Sequence, residues 1–95
     1  MPVALPEVET GTEARPREEP PCRVVLYNDD WHSFDDVILQ LVKATGCSAE
    51  EAGQHAWNVH TQGRDVVFQG PKAECEKVVG VLREIRLQVE VDGDF

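Results

Sequence analysis

The stretch Cys22-Arg23-Val24-Val25-Leu26-Tyr27-Asn28-Asp29-Asp30-Trp31-His32-Ser33-Phe34-Asp35-Asp36-Val37-Ile38 sets the frame for the whole chain. It opens with a β-branched and aliphatic run, the composition of a strand. Asn28-Asp29-Asp30 ends that run, because Asn and Asp side chains bond the nearby backbone and favour turns. Ser33 stands three residues before Asp36, the S-x-x-D spacing of a helix capping box. Phe34, Val37, Ile38, Leu41 and Val42 follow at helical spacing, and Gly46 stops the helix.

Towards the C-terminus the same signals recur. Ser48 and Glu51 start a second helix that runs through Ala52, Ala56 and Val59 to about Gln62, where Gly63 ends it. Residues 65–69 form a short strand around Val66, Val67 and Phe68. Gly70-Pro71 then punctuates the chain, with Pro71 suited to the first position of a third helix. That helix carries Cys75, Val78, Val79, Leu82 and Ile85 on one side. Leu87, Val89 and Val91 alternate with Gln88 and Glu90, the pattern of a half-buried strand. The order β-α-α-β-α-β predicts an α+β fold, a small sheet with all three helices on one face.

Towards the N-terminus the composition changes. The first 21 residues hold five of the six prolines and five glutamates, with few large apolar side chains. Such a segment cannot bury enough surface to offset its ordering entropy, so it is predicted to be disordered, with the domain spanning residues 22–95. A chain of 95 residues supports one domain with a modest core. That favours a binding module over a deep, multi-part active site. The formal net charge is −9, with −3 in the first 21 residues and −6 in the remainder. No Lys/Arg cluster offsets it, which argues against nucleic acid and anionic membrane as partners and for a cationic ligand. The three cysteines, Cys22, Cys47 and Cys75, are odd in number and lack metal-type spacing, as befits free thiols in a reducing compartment. There is neither a signal-peptide pattern nor an apolar run of spanning length, so the expected location is the cytoplasm. No cofactor is expected, and a monomer is the default.

Two segments concentrate unusual residues: Asn28-Asp29-Asp30-Trp31-His32, and Val59-His60-Thr61-Gln62-Gly63 at the end of the second helix. The short turn between helices one and two makes them antiparallel neighbours, which brings the first segment near His60. Asn28, Asp29, Asp30 and His60 then offer acceptors with no Lys or Arg in either segment to neutralise them. Phe34, Val37, Ala56 and Val59 could line an apolar cavity behind. A charged rim over an apolar hole suits an N-terminal residue, ammonium outside and side chain inside. Each residue alone has a plainer reading as a solvated turn, a histidine answering helix carbonyls, or ordinary core. An enzyme built on Asp29, Asp30, His60 and His32, with or without zinc, is the competing class. It lacks a His-x-x-x-His or paired-cysteine spacing and a nucleophile with an oriented base, so no catalytic residue is assigned.

The run Val24-Val25-Leu26-Tyr27-Asn28-Asp29-Asp30-Trp31, joined to Val59-His60-Thr61-Gln62-Gly63 at this distance, resembles the two signatures of the ClpS family. The resemblance covers residues 22–91 and is strongest up to Gly63. It implies a ClpS-like fold of three antiparallel strands with three helices on one face. It also implies an adaptor that binds proteins whose first residue is Leu, Phe, Tyr or Trp, the N-degron substrates, and delivers them to a Clp AAA+ unfoldase of ClpA or ClpC type. Asn28, Asp30 and His60 would hold the α-amino group, with Asp29 also kept. His32, Phe34, Val37, Ala56, Val59 and Leu87 fall at pocket positions, and Lys77 at a position that docks the unfoldase. A disordered N-terminal arm takes part in delivery in the family. The chain departs from the pattern at His32 (usually Thr), Ser33 (usually Pro), and Phe34 and Ala56 (commonly Met), which reshapes the pocket. An interaction module of the same fold with another partner is the alternative reading.

Overall fold

The computed structural model describes residues 21–93. The disorder predicted for the first 21 residues therefore falls, apart from Pro21, outside the described residues, as do the last two positions of the expected domain. The described chain forms β1 (Cys22–Tyr27), α1 (Phe34–Thr45), α2 (Ala49–Gln62), β2 (Arg64–Gly70), α3 (Lys72–Arg83) and β3 (Gln88–Asp92). This is the predicted order of elements.

β1 is the central strand of an antiparallel sheet in the order β2-β1-β3. Its residues alternate in burial: Cys22, Val24 and Leu26 turn inward, and Arg23, Val25 and Tyr27 outward. β2 carries one extra residue opposite the Val24/Val25 step, where the partners jump from Phe68 to Val66. This bulge turns Val67 into the core while Val66 stays exposed, so a stretch of adjacent apolar residues still serves a one-sided sheet.

The helix boundaries follow the capping chemistry. The Ser33 hydroxyl accepts from the Asp36 N–H, and the Ser48 hydroxyl from the Glu51 N–H. Gly46 and Gly63 close α1 and α2 in the left-handed region, at φ 76° and 90°. Pro71 was expected as the first helical residue of α3. It instead caps the helix from outside with ψ 153°, its carbonyl accepting from the Cys75 N–H. The third helix also ends earlier than the apolar spacing predicted. Ile85 lies in a turn that Arg86 completes at φ 65°, and Leu87 just precedes β3, its N–H reaching back to the Leu82 carbonyl.

The core joins Val24, Leu26 and Val89 of the sheet to Leu41, Ala52, Val59, Cys75, Val78 and Leu82 of the helices. α3 packs across the sheet, α2 packs on β2, and α1 packs chiefly on α2 and α3. At the far end of the sheet, Arg23 pairs with Asp92 at 3.1 Å, and Gly93 lies so close to Cys22 that any Cβ there would collide with the cysteine sulfur.

Leu82 is fully buried at the centre of this core. Leu82→Ala is expected to cost about 2–5 kcal/mol, measured by equilibrium urea unfolding. Gly63→Ala should cost about 1 kcal/mol or more through backbone strain alone, since its side chain would meet no neighbour within 4 Å.

Candidate functional site

The site begins where β1 runs out. Tyr27 is paired with Arg64, and the next N–H, that of Asn28, donates to the carbonyl of Gly63 at 2.9 Å. The Asn-Asp-Asp turn is thus tied directly to the residue that terminates α2. The Gly63 N–H in turn donates to the Val59 carbonyl, which fixes the helix end bearing His60.

Asp29 organises the loop that follows. Its Oδ1 accepts from the backbone N–H groups of Trp31 (3.1 Å) and His32 (2.9 Å), a side-chain mimic of a backbone turn. Its Oδ2 lies 2.6 Å from Nδ1 of His32, whose Nε2 lies 2.5 Å from the Ile85 carbonyl. A carbonyl can only accept, so Nε2 carries a proton, and Nδ1 facing a carboxylate carries the other. Below the folded-state pKa of His32 the pair is an imidazolium–carboxylate, with both side chains nearly buried. Burial alone would push the His32 pKa down, but the bonds to Asp29 and to the Ile85 carbonyl outweigh it and hold the pKa above 6.5. Burial likewise disfavours the charged form of Asp29. The His32 and Trp31 N–H groups and the His32 ring prevail, and its pKa lies below 3.8.

Between this loop and the ends of α1 and α2 lies a cavity of about 320 Å³. It is near the lower end of the range for ligand pockets, about 300–1,000 Å³. Leu26, Val37, Ala56, Val59 and Leu87 supply its apolar lining. Asn28, Asp30 and His60 stand exposed on its wall, and their side-chain polar atoms make no hydrogen bond to any other described residue. Among the described residues no Lys or Arg lines it. Phe34 flanks the opening, its ring edge-on to that of His60 at 5.4 Å. The antiparallel packing of α1 and α2 therefore brings the start of one helix to the end of the other.

All ten residues singled out for amine and pocket, Asn28, Asp29, Asp30, His32, Phe34, Val37, Ala56, Val59, His60 and Leu87, line this one cavity. Leu26, Tyr27 and Ser33 join them. Lys77 lies elsewhere, exposed on α3. Two features escaped the sequence reading. The Ile85 carbonyl that holds His32 becomes available only because α3 ends early. Trp57, half exposed beside His60, falls in no apolar pattern of the sequence. Among the described residues no group of three His, Cys, Asp or Glu side chains is placed to hold a metal ion, and no helix is long and apolar enough to cross a membrane.

Fold and site together define a small α+β domain, three helices on one face of a three-stranded antiparallel sheet, with a cavity at the end of its central strand. The model of the family described as ATP-dependent Clp protease adaptor protein ClpS matches residues 17–90, and the chain belongs to that family. It is 34% identical over 67 residues to the ClpS adapter of Bdellovibrio bacteriovorus, covering 68% of this chain and 59% of that protein. It is 40% identical over 53 residues to the human E3 ubiquitin-protein ligase UBR1, covering 56% of this chain and 3% of the ligase. The chain thus spans less than two thirds of these relatives' own length. Agrobacterium tumefaciens ClpS2, solved bound to L-phenylalaninamide, superposes with a TM-score of 0.74 at 19% identity, over 84% of this chain and all of that one, a likeness of fold.

The His32–Asp29 pair has a defined pH window. The raised His32 pKa means its stabilisation is full below about 6.5 and is lost as pH rises through the folded-state value. The lowered Asp29 pKa means its contribution is present above 3.8 and is lost as pH falls through the folded value. In an NMR titration the His32 ring should titrate above 6.5, and Asp29→Asn should move its midpoint down. An unmoved midpoint would refute the pairing.

Proposed function

We propose that this protein is an N-degron adaptor: it grips the free α-amino group and large hydrophobic first residue of a substrate protein and delivers that substrate to a Clp AAA+ unfoldase. The observation that carries the reading is the set of unbonded acceptors on Asn28, Asp30 and His60 around an apolar cavity with no Lys or Arg among its described lining residues. An α-amino group has a pKa near ~8 and is mostly charged at neutral pH, so it supplies the donors these acceptors lack. L-Phenylalaninamide, bound by the Agrobacterium relative, has this chemistry: a free α-amine beside a large apolar side chain.

Each residue has a role in this reading. Asn28, Asp30 and His60 accept from the ammonium. Asp29 acts one step back, since its oxygens are engaged by Trp31 and His32, and so positions the loop that presents Asp30. His32 braces the wall, and Phe34, Val37, Ala56, Val59 and Leu87 receive a side chain of Leu, Phe, Tyr or Trp. Burial of that side chain contributes ~2–3 kcal/mol, and each charge-assisted hydrogen bond about 1.5–3 kcal/mol before association costs. A micromolar complex needs roughly 8 kcal/mol, within reach of this inventory. In this reading the protein binds and does not catalyse, and the ring nitrogens of His32 serve the loop, facing Asp29 and the Ile85 carbonyl.

The same reading makes Lys77, exposed on α3, a docking contact for a ClpA- or ClpC-type unfoldase, and makes the protein a cytoplasmic monomer. The identity to UBR1 favours a second reading, a recognition module of the same fold that serves a different degradation partner.

Peptides differing only in the first residue discriminate. Free Leu, Phe, Tyr and Trp N-termini should bind in fluorescence anisotropy, and acetylated Leu should not. Asp30→Ala and His60→Ala should each weaken binding by about 10–100-fold, one charge-assisted bond. Unchanged binding by His60→Ala would sink the amine clamp.

A further inference from the structure

Trp57 is one of two tryptophans in the chain and is 54% exposed. It lies off the buried stripe of α2, where Ala52, Ala56 and Val59 face the core, so packing does not account for it. Its ring stands 5.9 Å from that of His60 and 6.3 Å from that of Phe34, while the Phe34 and His60 rings are 5.4 Å apart. Three rings thus form one cluster at the cavity mouth, and Phe34, itself 41% exposed, joins cavity to exterior. The positions one turn from Trp57 on α2, apart from His60, are Gly53, Gln54 and Thr61, none of them charged. Among the described residues of α2, then, no charged side chain lies one turn from the indole, and about half of it is exposed.

We infer that Trp57 and Phe34 form a ledge that receives the side chain of the third residue of a bound polypeptide, with arginine or an aromatic ring favoured there. The inference rests on the amine-binding reading above and extends it to substrate selection beyond the first residue. With the first side chain in the cavity, an extended chain turns its second side chain away and its third back to the same side. Residues one and three are about 7 Å apart, and the Trp57 ring stands 6.3 Å from that of Phe34 and 5.9 Å from that of His60, both of which line the cavity. The chemistry of the ledge selects the occupant. A guanidinium stacks on an indole face through cation–π attraction, and an aromatic ring packs on it offset or edge-on. The chain is acidic, −9 overall, and among the described residues no Lys or Arg lines the cavity, so a cation meets no repulsion from them.

The test is anisotropy with C-terminally labelled peptides beginning Leu-Ala-Ala, Leu-Ala-Arg, Leu-Ala-Phe and Leu-Arg-Ala, plus acetylated Leu-Ala-Arg. The full-length chain should bind Leu-Ala-Arg and Leu-Ala-Phe about fivefold tighter than Leu-Ala-Ala. Trp57→Ala should erase that preference while holding Leu-Ala-Ala within about twofold, and Trp57→Phe should retain part of it. In a Trp31→Phe background, Trp57 emission should shift with Leu-Ala-Arg and stay put with its acetylated form. A Trp57→Ala variant that weakens every peptide equally overturns the ledge and makes Trp57 a support for the pocket. Preference that follows the second residue, or that survives without Trp57, also overturns it. If free and acetylated peptides behave alike, the amine-binding reading fails and takes the ledge with it.

Discussion

One backbone hydrogen bond joins the two halves of the site. The Asn28 N–H donates to the Gly63 carbonyl, extending the β1–β2 pairing by one step and welding it to the end of α2. A strand terminus, a helix terminus and a turn are thereby held in one place. Only a residue that tolerates φ 90° can stand at 63 and still present its carbonyl there. The glycine therefore does two jobs: it stops the helix and it receives the loop. Cavity geometry follows, because Asn28 enters the wall from one side of this bond and His60 from the other.

The loop between β1 and α1 has almost no apolar anchor of its own. It is held from within by a carboxylate that accepts two backbone N–H groups and an imidazolium, and from without by the Ile85 carbonyl. This division of labour explains why adjacent aspartates differ so much. Asp29 is spent on structure, with its side chain nearly buried. Asp30 is left exposed and unbonded. A buried ion pair is a weak source of stability; what this one does is local, tying the Trp31 and His32 N–H groups, the His32 ring and the Ile85 carbonyl into one turn.

Most of the fold was legible because local signals agreed. Ser33, Ser48, Gly46 and Gly63 fixed the helix boundaries, and the alternation in β1 fixed which side faces inward. What misled was periodicity extended past its physical end. Ile85 lies at helical spacing from Leu82, yet α3 stops at Arg83, and the chain turns through Arg86 to bring Leu87 to the cavity. The bulge at Val67 was also hidden, since Val66, Val67 and Phe68 show no alternation to interrupt. The site residues could be assembled because two antiparallel helices place known positions together. The partner of His32 could not, because a backbone carbonyl carries no sequence label. Trp57 was invisible for a different reason: an exposed aromatic on a helix acquires meaning only when the rings around it are located.

The contact between Gly93 and Cys22, together with the Arg23–Asp92 pair, bears on architecture beyond this domain. Both ends of the folded unit leave from the same edge, at the start of β1, while the cavity mouth is at the other end of that strand, about 17 Å away for a strand of this length. A domain with adjoining termini and a remote mouth is a cassette. It can be spliced into a loop of a much larger polypeptide with little distortion of either, and its opening still faces outward. The antiparallel pairing of β1 with β3, down to Arg23 opposite Asp92, keeps the splice points together, and Gly93, without a Cβ, passes close by the Cys22 sulfur.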